Sequence, residues 1–311
     1  MSLRKNIVPV AVGADPEFLA INHSGIIIGA SSLGYSDGQF GCDGDSTTFE
    51  LRPDPSRNPL EVVANIAHLL KTEVKANRRL KDLDFRAGSY YHDRALGGHI
   101  HFGIPSNKIQ YGTASTILSN YVGAITALIE DKGEGKQRRS RGYGGIAECR
   151  TQNYGFEYRT CSSWVVSPYV AMGVLCLGKT VMYEVLNNPT FQPRNDVTNE
   201  NIVSVEKEKL RVKFPAIWAD ITKMELYQEY KPYIDFLYWL VINERGWFPV
   251  KKDMKAAWGI IDFQVKIPNK KIDLAAIWGR YEIENATRRI EDTGRPVIQN
   301  QNLPMVGYPE L

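Results

Sequence analysis

The sequence predicts an α+β fold, in which a sheet with one charged face is flanked by helices and followed by a mainly helical C-terminal part. Two patterns predict it. Five short tracts carry polar or charged side chains two residues apart, which is the repeat of a strand whose alternate side chains share a face. Elsewhere, apolar residues recur at the three- to four-residue spacing of amphipathic helices.

The charged face is defined by five pairs of residues. They are Asp15/Glu17, Glu50/Arg52, His99/His101, Glu148/Arg150 and Glu157/Arg159. Apolar neighbours such as Phe49 and Leu51 would point to the opposite side of the same strands. Hard divalent cations bind oxygen ligands with an occasional nitrogen, and arginines bind polyanions. The face therefore suits a metal ion together with a phosphate.

Each pair also has a plainer interpretation when it is taken alone. A glutamate–arginine pair is compatible with a cross-strand ion pair on a solvated face. The histidine pair is compatible with two hydrogen-bonded side chains beside a polar cleft, and Asp15/Glu17 with an edge strand that is protected against aggregation. On one sheet, however, opposed acids would repel one another unless arginines or bound metal neutralise them. We expect both.

Turn signals between these tracts set the predicted strands. Residues 7–21 form the first strand, and Pro16 predicts an edge position or a bulge there. Residues 26–30 pair with it as a hairpin. The remaining strands are predicted at 47–52, around His99 and His101, and at 145–151 and 156–161, of which the last two form a hairpin.

Capping residues and apolar periodicity predict the helices. Asn58 and Pro59 begin one that runs to about residue 79, and Ser167 and Pro168 begin a second that ends near residue 186. Further helical segments are predicted at 112–130, 233–243 and 272–290.

The chain has 311 residues, of which 43% are hydrophobic and 23% are charged, so it can bury a full core as one large domain or two moderate ones. The polar stretch 187–201 predicts a boundary, with the sheet and its helices in 1–190 and a mainly helical part in 191–311 that packs on the same domain. Residues 131–145 are rich in glycine and basic residues, which favours a mobile loop that an anion would order.

Composition argues against two classes of partner. The net charge of +3 and a single basic cluster do not favour nucleic-acid binding. The apolar stretch 164–177 is interrupted by Ser167 and Pro168 and is too short to cross a bilayer, so it predicts a buried helix.

Asp15 and Glu17 interrupt the first apolar run before a secretory signal could form. Four scattered cysteines without a C-x-x-C motif indicate reduced thiols and a cytoplasmic protein.

Five short motifs follow one another along the first 190 residues. They are GADPEF from Gly13, FELRP from Phe49, GGHIHFG from Gly97, RRSRGYGGIAECR from Arg138 and GFEYRTCSSW from Gly155. In this order and spacing they resemble the carboxylate–amine ligases of the glutamine synthetase-like superfamily, and in particular its phage-encoded branch of COOH-NH2 ligases. The helical remainder contributes nothing to the resemblance.

The resemblance implies a curved antiparallel sheet, of the glutamine synthetase and guanido kinase type, that holds ATP and two or three Mg²⁺ or Mn²⁺ ions. The residues that match metal ligands are Asp15, Glu17, Glu50, His99 and Glu157, with either Asp43 or Asp45 in support of Glu50. Those that match nucleotide-binding residues are Arg52, His101 and Arg139, and those that match catalytic arginines are Arg141, Arg150 and Arg159. Relatives often have Glu at position 15, so the Asp found there reaches less far by one methylene.

The same resemblance implies an amide-forming ligase. A substrate carboxylate attacks the γ-phosphate of ATP to give an acyl phosphate, and an amine then displaces phosphate. The implied partners are a small-molecule or peptide carboxylate and an amine-bearing co-substrate, in the host cytoplasm if the chain is phage-encoded; a homo-oligomer is compatible with this picture. Two rival classes stay open: a metal-dependent hydrolase that uses His99, His101 and acids to activate water, and a non-catalytic phage binding or structural protein. Phosphoryl transfer to a guanidino group on a related sheet is a further alternative, which the motifs fit less well than they fit the ligases.

Overall fold

The described part of the chain alternates short strands with helices. The computed structural model describes residues 7–105, 107–247 and 253–260, together with the strand pair at 266–267 and 270–271. The strands are β1 (Ala11–Ile21), β2 (Ile27–Ile28), β3 (Phe40–Cys42), β4 (Phe49–Leu51), β5 (Asp84–Arg86), β6 (Tyr90–Tyr91), β7 (Arg94–Ala95), β8 (Gly98–Gly103), β9 (Cys149–Gln152), β10 (Gly155–Tyr158), β11 (Lys266–Ile267) and β12 (Lys270–Lys271). The helices are α1 (Pro59–Ala76), α2 (Arg78–Lys81), α3 (Tyr111–Leu118), α4 (Ala124–Ile129), α5 (Lys132–Ser140), α6 (Pro168–Asn187), α7 (Asn199–Val203), α8 (Lys207–Ile221), α9 (Tyr227–Ile242) and α10 (Met254–Ala257), with a 3₁₀ turn at Ser31–Leu33 and a π turn at Ser119–Gly123. The helix predicted at 272–290 lies outside the described residues.

The main sheet is antiparallel and is built around β1. Within the described ranges it has eight strands: six follow the order β3-β4-β1-β8-β10-β9, and β2 and β5 pair with the far end of β1. The predicted α+β class, with an antiparallel sheet flanked by helices, is confirmed.

The edge position predicted for Pro16 is wrong, because β1 is the central strand. The N–H of Glu17 donates to Gly97 on the β8 side, so the ring nitrogen of Pro16 faces the other side of β1. On that side the ladder with β4 begins only at Glu17. The proline therefore removes no ladder hydrogen bond.

The opposite face of the sheet is apolar and is covered by helices. Phe18, Phe49, Phe102 and Phe156 are fully buried there, in one hydrophobic core that also contains residues of α1, α3, α4 and α6. The rings of Phe18 and Phe49 stack with their centroids 5.0 Å apart. Helix α9 packs in turn on α6, so the helices that follow the sheet join the same core.

Helix α6 is the central helix of this core. The Ser167 hydroxyl accepts a hydrogen bond from the Val170 N–H (3.2 Å), and Pro168 occupies the first turn, as predicted. The helix is long and apolar enough to cross a membrane, but 83% of its most apolar 18-residue window is buried inside the protein. It is therefore the buried helix that the sequence predicts.

Two other helical predictions are confirmed with small differences. Helix α1 ends at Ala76, before the predicted residue 79, because Asn77 takes an extended conformation and its side chain caps α2. The helix predicted at 112–130 forms as α3, a π turn and α4 in direct succession. Gly123 lies in the π turn, where a Cβ would come within 2.8 Å of the Tyr158 hydroxyl.

The mobile loop predicted at 131–145 is wrong, because this segment contains helix α5. The Asp131 carboxylate caps it by accepting a hydrogen bond from the Glu134 N–H (2.9 Å). The basic residues that favoured a loop instead anchor the helix, since Arg138 and Arg139 are both buried.

A pair of glycine substitutions tests the α6–α9 contact. A Cβ on Gly173 would lie 2.7 Å from Leu237 Cγ and 3.0 Å from the Tyr233 carbonyl, whereas a Cβ on Gly112 in α3 meets nothing within 4 Å. We expect Gly173→Ala to lower the free energy of unfolding by about 1–3 kcal/mol through overpacking. Gly112→Ala should change it by less than about 1 kcal/mol, in the stabilising direction. Chemical denaturation of both variants checks this, and equal effects would contradict the described packing.

Candidate active site

The register of the sheet brings the predicted polar side chains to one face. The residues that lie opposite each other are Asp15/His99, Glu17/Glu50, His101/Glu157 and Glu157/Arg150. Glu148 does not join them, because it precedes β9 and its carboxylate accepts hydrogen bonds from the N–H groups of Gly144 and Gly145 (both 2.9 Å). All five predicted strand tracts thus contribute at least one residue to one surface, the fourth through Arg150 alone.

The first cluster on this face consists of Asp15, His101 and Glu157. Each offers one ligand atom, and these atoms lie within 4.8 Å of one another. His99 adjoins the cluster, with Nδ1 3.1 Å from Asp15 Oδ1 and 3.2 Å from Glu157 Oε1. Nε2 of His101 lies 3.1 Å from Asp15 Oδ2. The short side chain of Asp15 therefore contacts both histidines.

Several polar atoms at the centre of the first cluster are buried without a hydrogen-bond partner among the described residues. They are Asp15 Oδ1, His99 Nδ1, His101 Nε2 and Glu157 Oε1. Buried polar groups are almost always paired, so unpaired ones need an explanation. Carboxylate oxygens and imidazole nitrogens that face one another in this way are arranged as ligands around a cation. The residues present therefore fit Mg²⁺ or Mn²⁺.

The second cluster consists of Glu17, Asp43 and Glu50, whose ligand atoms again lie within 4.8 Å of one another. Glu17 and Glu50 are buried, and Asp43 is half-buried. Asp45, the other acid that the sequence left open, is instead ion-paired with Arg94 (2.8 Å). The structure thus selects Asp43 as the neighbour of Glu50, and all three ligand groups are carboxylates.

Gly97 brings the main chain close to both clusters. Its N–H donates a hydrogen bond to Glu17 Oε2 (2.7 Å). A Cβ at this position would lie 2.4 Å from His99 Nε2 and 3.1 Å from Glu17 Oε1. Any other residue would displace the imidazole, which explains why the chain enters this strand through glycine.

Arg150 and Arg159 neutralise the most deeply buried acid of the face. Glu157 is 1% exposed, and its Oε2 lies 3.1 Å from Arg150 Nη1 while its Oε1 lies 3.0 Å from Arg159 Nε. Arg150 is itself more than half exposed, so one side of its guanidinium is accessible to a ligand.

Helix α5 supplies arginines with different surroundings. Arg138 and Arg141 line the cavity described below, and Arg141 also pairs with Asp93 (2.7 Å). Arg139, which the resemblance assigns to the nucleotide, does not line it: its side chain is 2% exposed and pairs with buried Glu130 (2.6 Å). The reason is geometric, since successive residues on a helix point about 100° apart, whereas a loop could have turned all of them to one ligand.

Arg52, also assigned to the nucleotide, lies outside the cavity lining as well. It forms an ion pair with Glu50, and its guanidinium donates hydrogen bonds to the carbonyls of Gly38 (2.9 Å) and Cys42 (3.2 Å). These contacts hold residues 38–42, which include β3, against β4. They also place a positive charge beside Glu50.

A cavity of about 500 Å³ contains the acids of both clusters. Among the described residues, five arginines complete its charged lining. They are Arg94, Arg138, Arg141, Arg150 and Arg159. Side chains far apart in the sequence therefore converge on one space that holds carboxylates, His99 and guanidinium groups.

An uncharged cavity of about 780 Å³ lies at the end of the sheet beyond His101, where residues from both faces line it. Gly103, two residues beyond His101 on β8, lines it together with Gln152 and Tyr154 of the β9–β10 hairpin. Its described lining contains no charged side chain. The Tyr154 hydroxyl contacts His101 Nδ1, so Tyr154 links the uncharged cavity to the first cluster. The sequence did not predict this cavity, although the glycines of β8 and β10 were a signal for it.

Burial sets the protonation of the second cluster. It raises the pKa of Glu17 to about 7 and that of Glu50 to about 9. At Glu50 the charges of Asp15 and Asp43 add to the effect of burial, and Arg52 opposes it. Glu17 and Glu50 therefore hold a proton more readily than an exposed carboxyl does, and a bound cation would take the place of that proton.

At Asp15 of the first cluster the pKa shifts in the opposite direction. Burial acts to raise the pKa of Asp15, but its contacts with His101 and His99 outweigh burial and lower that pKa. Burial likewise acts to lower the pKa of His99, and the neighbouring charge of Asp15 outweighs it and raises that pKa. Asp15 thus loses its proton more readily than Glu17 and Glu50, although the three acids share one face.

The remaining histidines of the described chain do not reach either cluster. His23, His68 and His92 are all exposed, on a turn, on α1 and between β6 and β7. A three-histidine metal site, as some metal-dependent enzymes have, is therefore not formed by the described residues.

Comparisons with known proteins agree with the fold and the motifs. The model of the family described as phage phiEco32-like COOH.NH2 ligase-type 2 matches residues 12–260, well beyond the 190 residues that carry the resemblance. No curated protein matches the chain by sequence. One similar solved structure is the complex of the ligase PafA with the prokaryotic ubiquitin-like protein Pup, with 7% identity, a TM-score of 0.53, and coverage of 95% of this chain and 71% of the matched chain. Apo GmaS has 14% identity, a TM-score of 0.41, and coverage of 76% of this chain and 69% of its own. A bifunctional glutathione synthetase from Pasteurella multocida has 10% identity, a TM-score of 0.45, and coverage of 90% of this chain and 53% of its own. At this identity the likeness to PafA shows a shared fold alone. The predicted resemblance is confirmed.

The raised pKa of Glu50 has a consequence for stability. Its folded pKa of about 9 exceeds the unfolded value, so its contribution is complete below the unfolded pKa and is lost as the pH rises toward 9. We expect Glu50→Gln to gain stability relative to the wild type between pH 6 and 8.5 in EDTA, by at most about 1.4 kcal/mol per pH unit. Chemical denaturation at both pH values checks this. A difference between the two proteins that does not change with pH would contradict it.

Proposed function

Because the chain belongs to the phage phiEco32-like COOH.NH2 ligase-type 2 family, we propose that it is a carboxylate–amine ligase that uses ATP and a divalent metal and forms an amide through an acyl phosphate. One observation supports this most: two clusters of oxygen and nitrogen ligands share a cavity with arginines. Such clusters suit Mg²⁺ or Mn²⁺, and arginines suit phosphate. A metal-dependent hydrolase would need no such group of arginines.

Phosphoryl transfer needs positive charge around the γ-phosphate, and the arginines of this chain supply it. Arg150 and Arg159 lie beside Glu157 at one wall of the cavity, and Arg138 and Arg141 line it from α5. Negative charge that spreads over the phosphoryl oxygens during transfer is stabilised by these guanidinium groups. Divalent cations, when bound by the two clusters, would supply further positive charge at the phosphate oxygens.

The nucleoside part of ATP fits the uncharged cavity. Tyr154 offers an aromatic ring to a base, and Gln152 and Asn153 offer amide groups for hydrogen bonds. This cavity lies directly beyond His101, the residue that the resemblance places near the nucleotide. A triphosphate that extends from it along the sheet would reach the clusters and the arginines.

The two substrates meet at the other end of the charged cavity. An oxygen of the substrate carboxylate bonds to the γ-phosphorus and ADP leaves; the amine nitrogen then bonds to the acyl carbon, phosphate leaves and the nitrogen loses a proton. Asp93, Arg94 and Tyr143 line the cavity at the β6–β7 hairpin and just after α5. These segments can exclude water, which would otherwise hydrolyse the acyl phosphate.

The co-substrates are a small molecule or peptide with a free carboxylate and a second molecule with an amine. The mechanism requires no side-chain nucleophile. The described cysteines agree with this, because burial raises the pKa of the Cys161 thiol to about 11 and makes it a poor nucleophile. Dependence on ATP assigns the reaction to the cytoplasm, and to that of the host if the chain is phage-encoded.

Replacing Glu157 tests the site directly. Glu157→Gln keeps the shape of the side chain but removes the charge that a cation and two arginines would share. We expect metal-dependent ATP binding to weaken by more than about 100-fold, beyond the loss typical of an outer-shell partner. Glu208→Gln is the matched control, because Glu208 is exposed on α8 and pairs only with Lys132 (3.3 Å). Isothermal titration with ATP and Mg²⁺ gives both affinities, and circular dichroism confirms folding. A Glu157→Gln protein that binds like the wild type would contradict the site.

Turnover separates the ligase from its rivals. We expect ADP release in a screen of carboxylates and amines that depends on both co-substrates and on Mg²⁺ or Mn²⁺. Hydrolysis of an ester or amide without nucleotide would support the metal-dependent hydrolase instead. Binding without either reaction would indicate a non-catalytic module.

A further inference from the structure

Tyr154 lies between the uncharged cavity and the first cluster. It lies in the turn between β9 and β10 and is 42% exposed. Its ring is nearly parallel to the imidazole of His101, with an interplanar angle of 20° and 5.8 Å between the centroids. Its hydroxyl is in hydrogen-bond contact with Nδ1 of that imidazole.

The backbone around Tyr154 fixes this position. The Ile104 N–H donates a hydrogen bond to the Tyr154 carbonyl (3.0 Å), which ties the turn to the strand that carries His101. The next residue, Gly155, has φ = +151°, and a Cβ there would lie 2.0 Å from the Phe102 carbonyl. The hairpin therefore cannot shift easily, and the phenol ring is held against the imidazole.

The two ring nitrogens of His101 have different surroundings. Nδ1 contacts the Tyr154 hydroxyl, whereas Nε2 is buried 3.1 Å from Asp15 Oδ2 without a hydrogen-bond partner in the described part of the chain. A neutral imidazole carries its proton on one nitrogen and a lone pair on the other. Either proton would face an oxygen, but a cation beside Asp15 needs the lone pair of Nε2, so the proton then lies on Nδ1, where the Tyr154 hydroxyl can accept its hydrogen bond.

We propose that Tyr154 is a positioning residue, whose hydroxyl accepts a hydrogen bond from Nδ1–H of His101 and keeps the Nε2 lone pair directed at the cation position beside Asp15 and Glu157. The inference rests on the proposed function, which requires a cation there. Histidines that bind metals generally donate their other N–H to a fixed partner, and loss of that partner lowers metal affinity about 10- to 100-fold.

The variant Tyr154→Phe keeps the ring and removes only the hydroxyl. The chain has five histidines, so their ring nitrogens can be assigned by ¹⁵N NMR of the protein with bound Mg²⁺. We expect the wild type to show His101 as the Nδ1–H form and the variant to show a mixture of forms. Without nucleotide, the affinity for Mn²⁺ should fall about tenfold or more in Tyr154→Phe. Tyr111→Phe is the control: Tyr111 lines the same uncharged cavity and stacks on Phe156, so its Mn²⁺ affinity should match the wild type.

Two readouts keep this test separate from the test of the ligase itself. Wild-type Mn²⁺ affinity and unchanged His101 signals in Tyr154→Phe would overturn the positioning role. If the wild type bound no Mn²⁺, the proposed function would fail, while a difference in the His101 Nδ1 signal between the two metal-free proteins would still show the hydrogen bond with Tyr154. A loss of affinity in both phenylalanine variants would assign the effect to the cavity instead of the hydrogen bond, and would also overturn the proposal.

Discussion

The burial of several carboxylates on one face of a sheet is the constraint on which this structure depends. Glu17, Glu50 and Glu157 are 8%, 6% and 1% exposed, and a buried charge is costly unless something neutralises it. The protein meets this cost in two ways. Glu157 is neutralised by arginines, whereas Glu17 and Glu50 have raised pKa values and retain protons more readily. Cations that replaced those protons would be held where phosphate oxygens can also bind them.

The same constraint explains the division of the sheet into two faces. Side chains alternate along a strand, so the residues between the acids and histidines point into the core and anchor the strand there. Slipping β8 by one residue against β1 would bury His99 and His101 and expose Ile100 and Phe102. The apolar core thus fixes the register that assembles the site, and stability and site geometry cannot be changed independently.

This alternation is also why so much of the site could be predicted from the sequence. A period of two residues assigns Asp15, Glu17, His99 and His101 to one face whatever their neighbours in space, and the capping residues of α1 and α6 act locally in the same way. The sequence could not show that β1 is the central strand, because strand order is set by contacts between distant segments. Pro16 was misinterpreted for that reason.

The surroundings of residues that depend on such distant contacts could not be predicted from the sequence. Arg139 carries the charge of a phosphate ligand, yet α5 turns it toward Glu130, and only the helix decides this. Tyr154 meets His101 across 53 residues, and it is part of no charged pair. One measurement tests the central claim most directly: anomalous diffraction from crystals grown with Mn²⁺ and a non-hydrolysable ATP analogue. The account predicts a manganese peak in each cluster with the triphosphate between the clusters and the arginines. A cavity without manganese, or a nucleotide bound elsewhere, would contradict it.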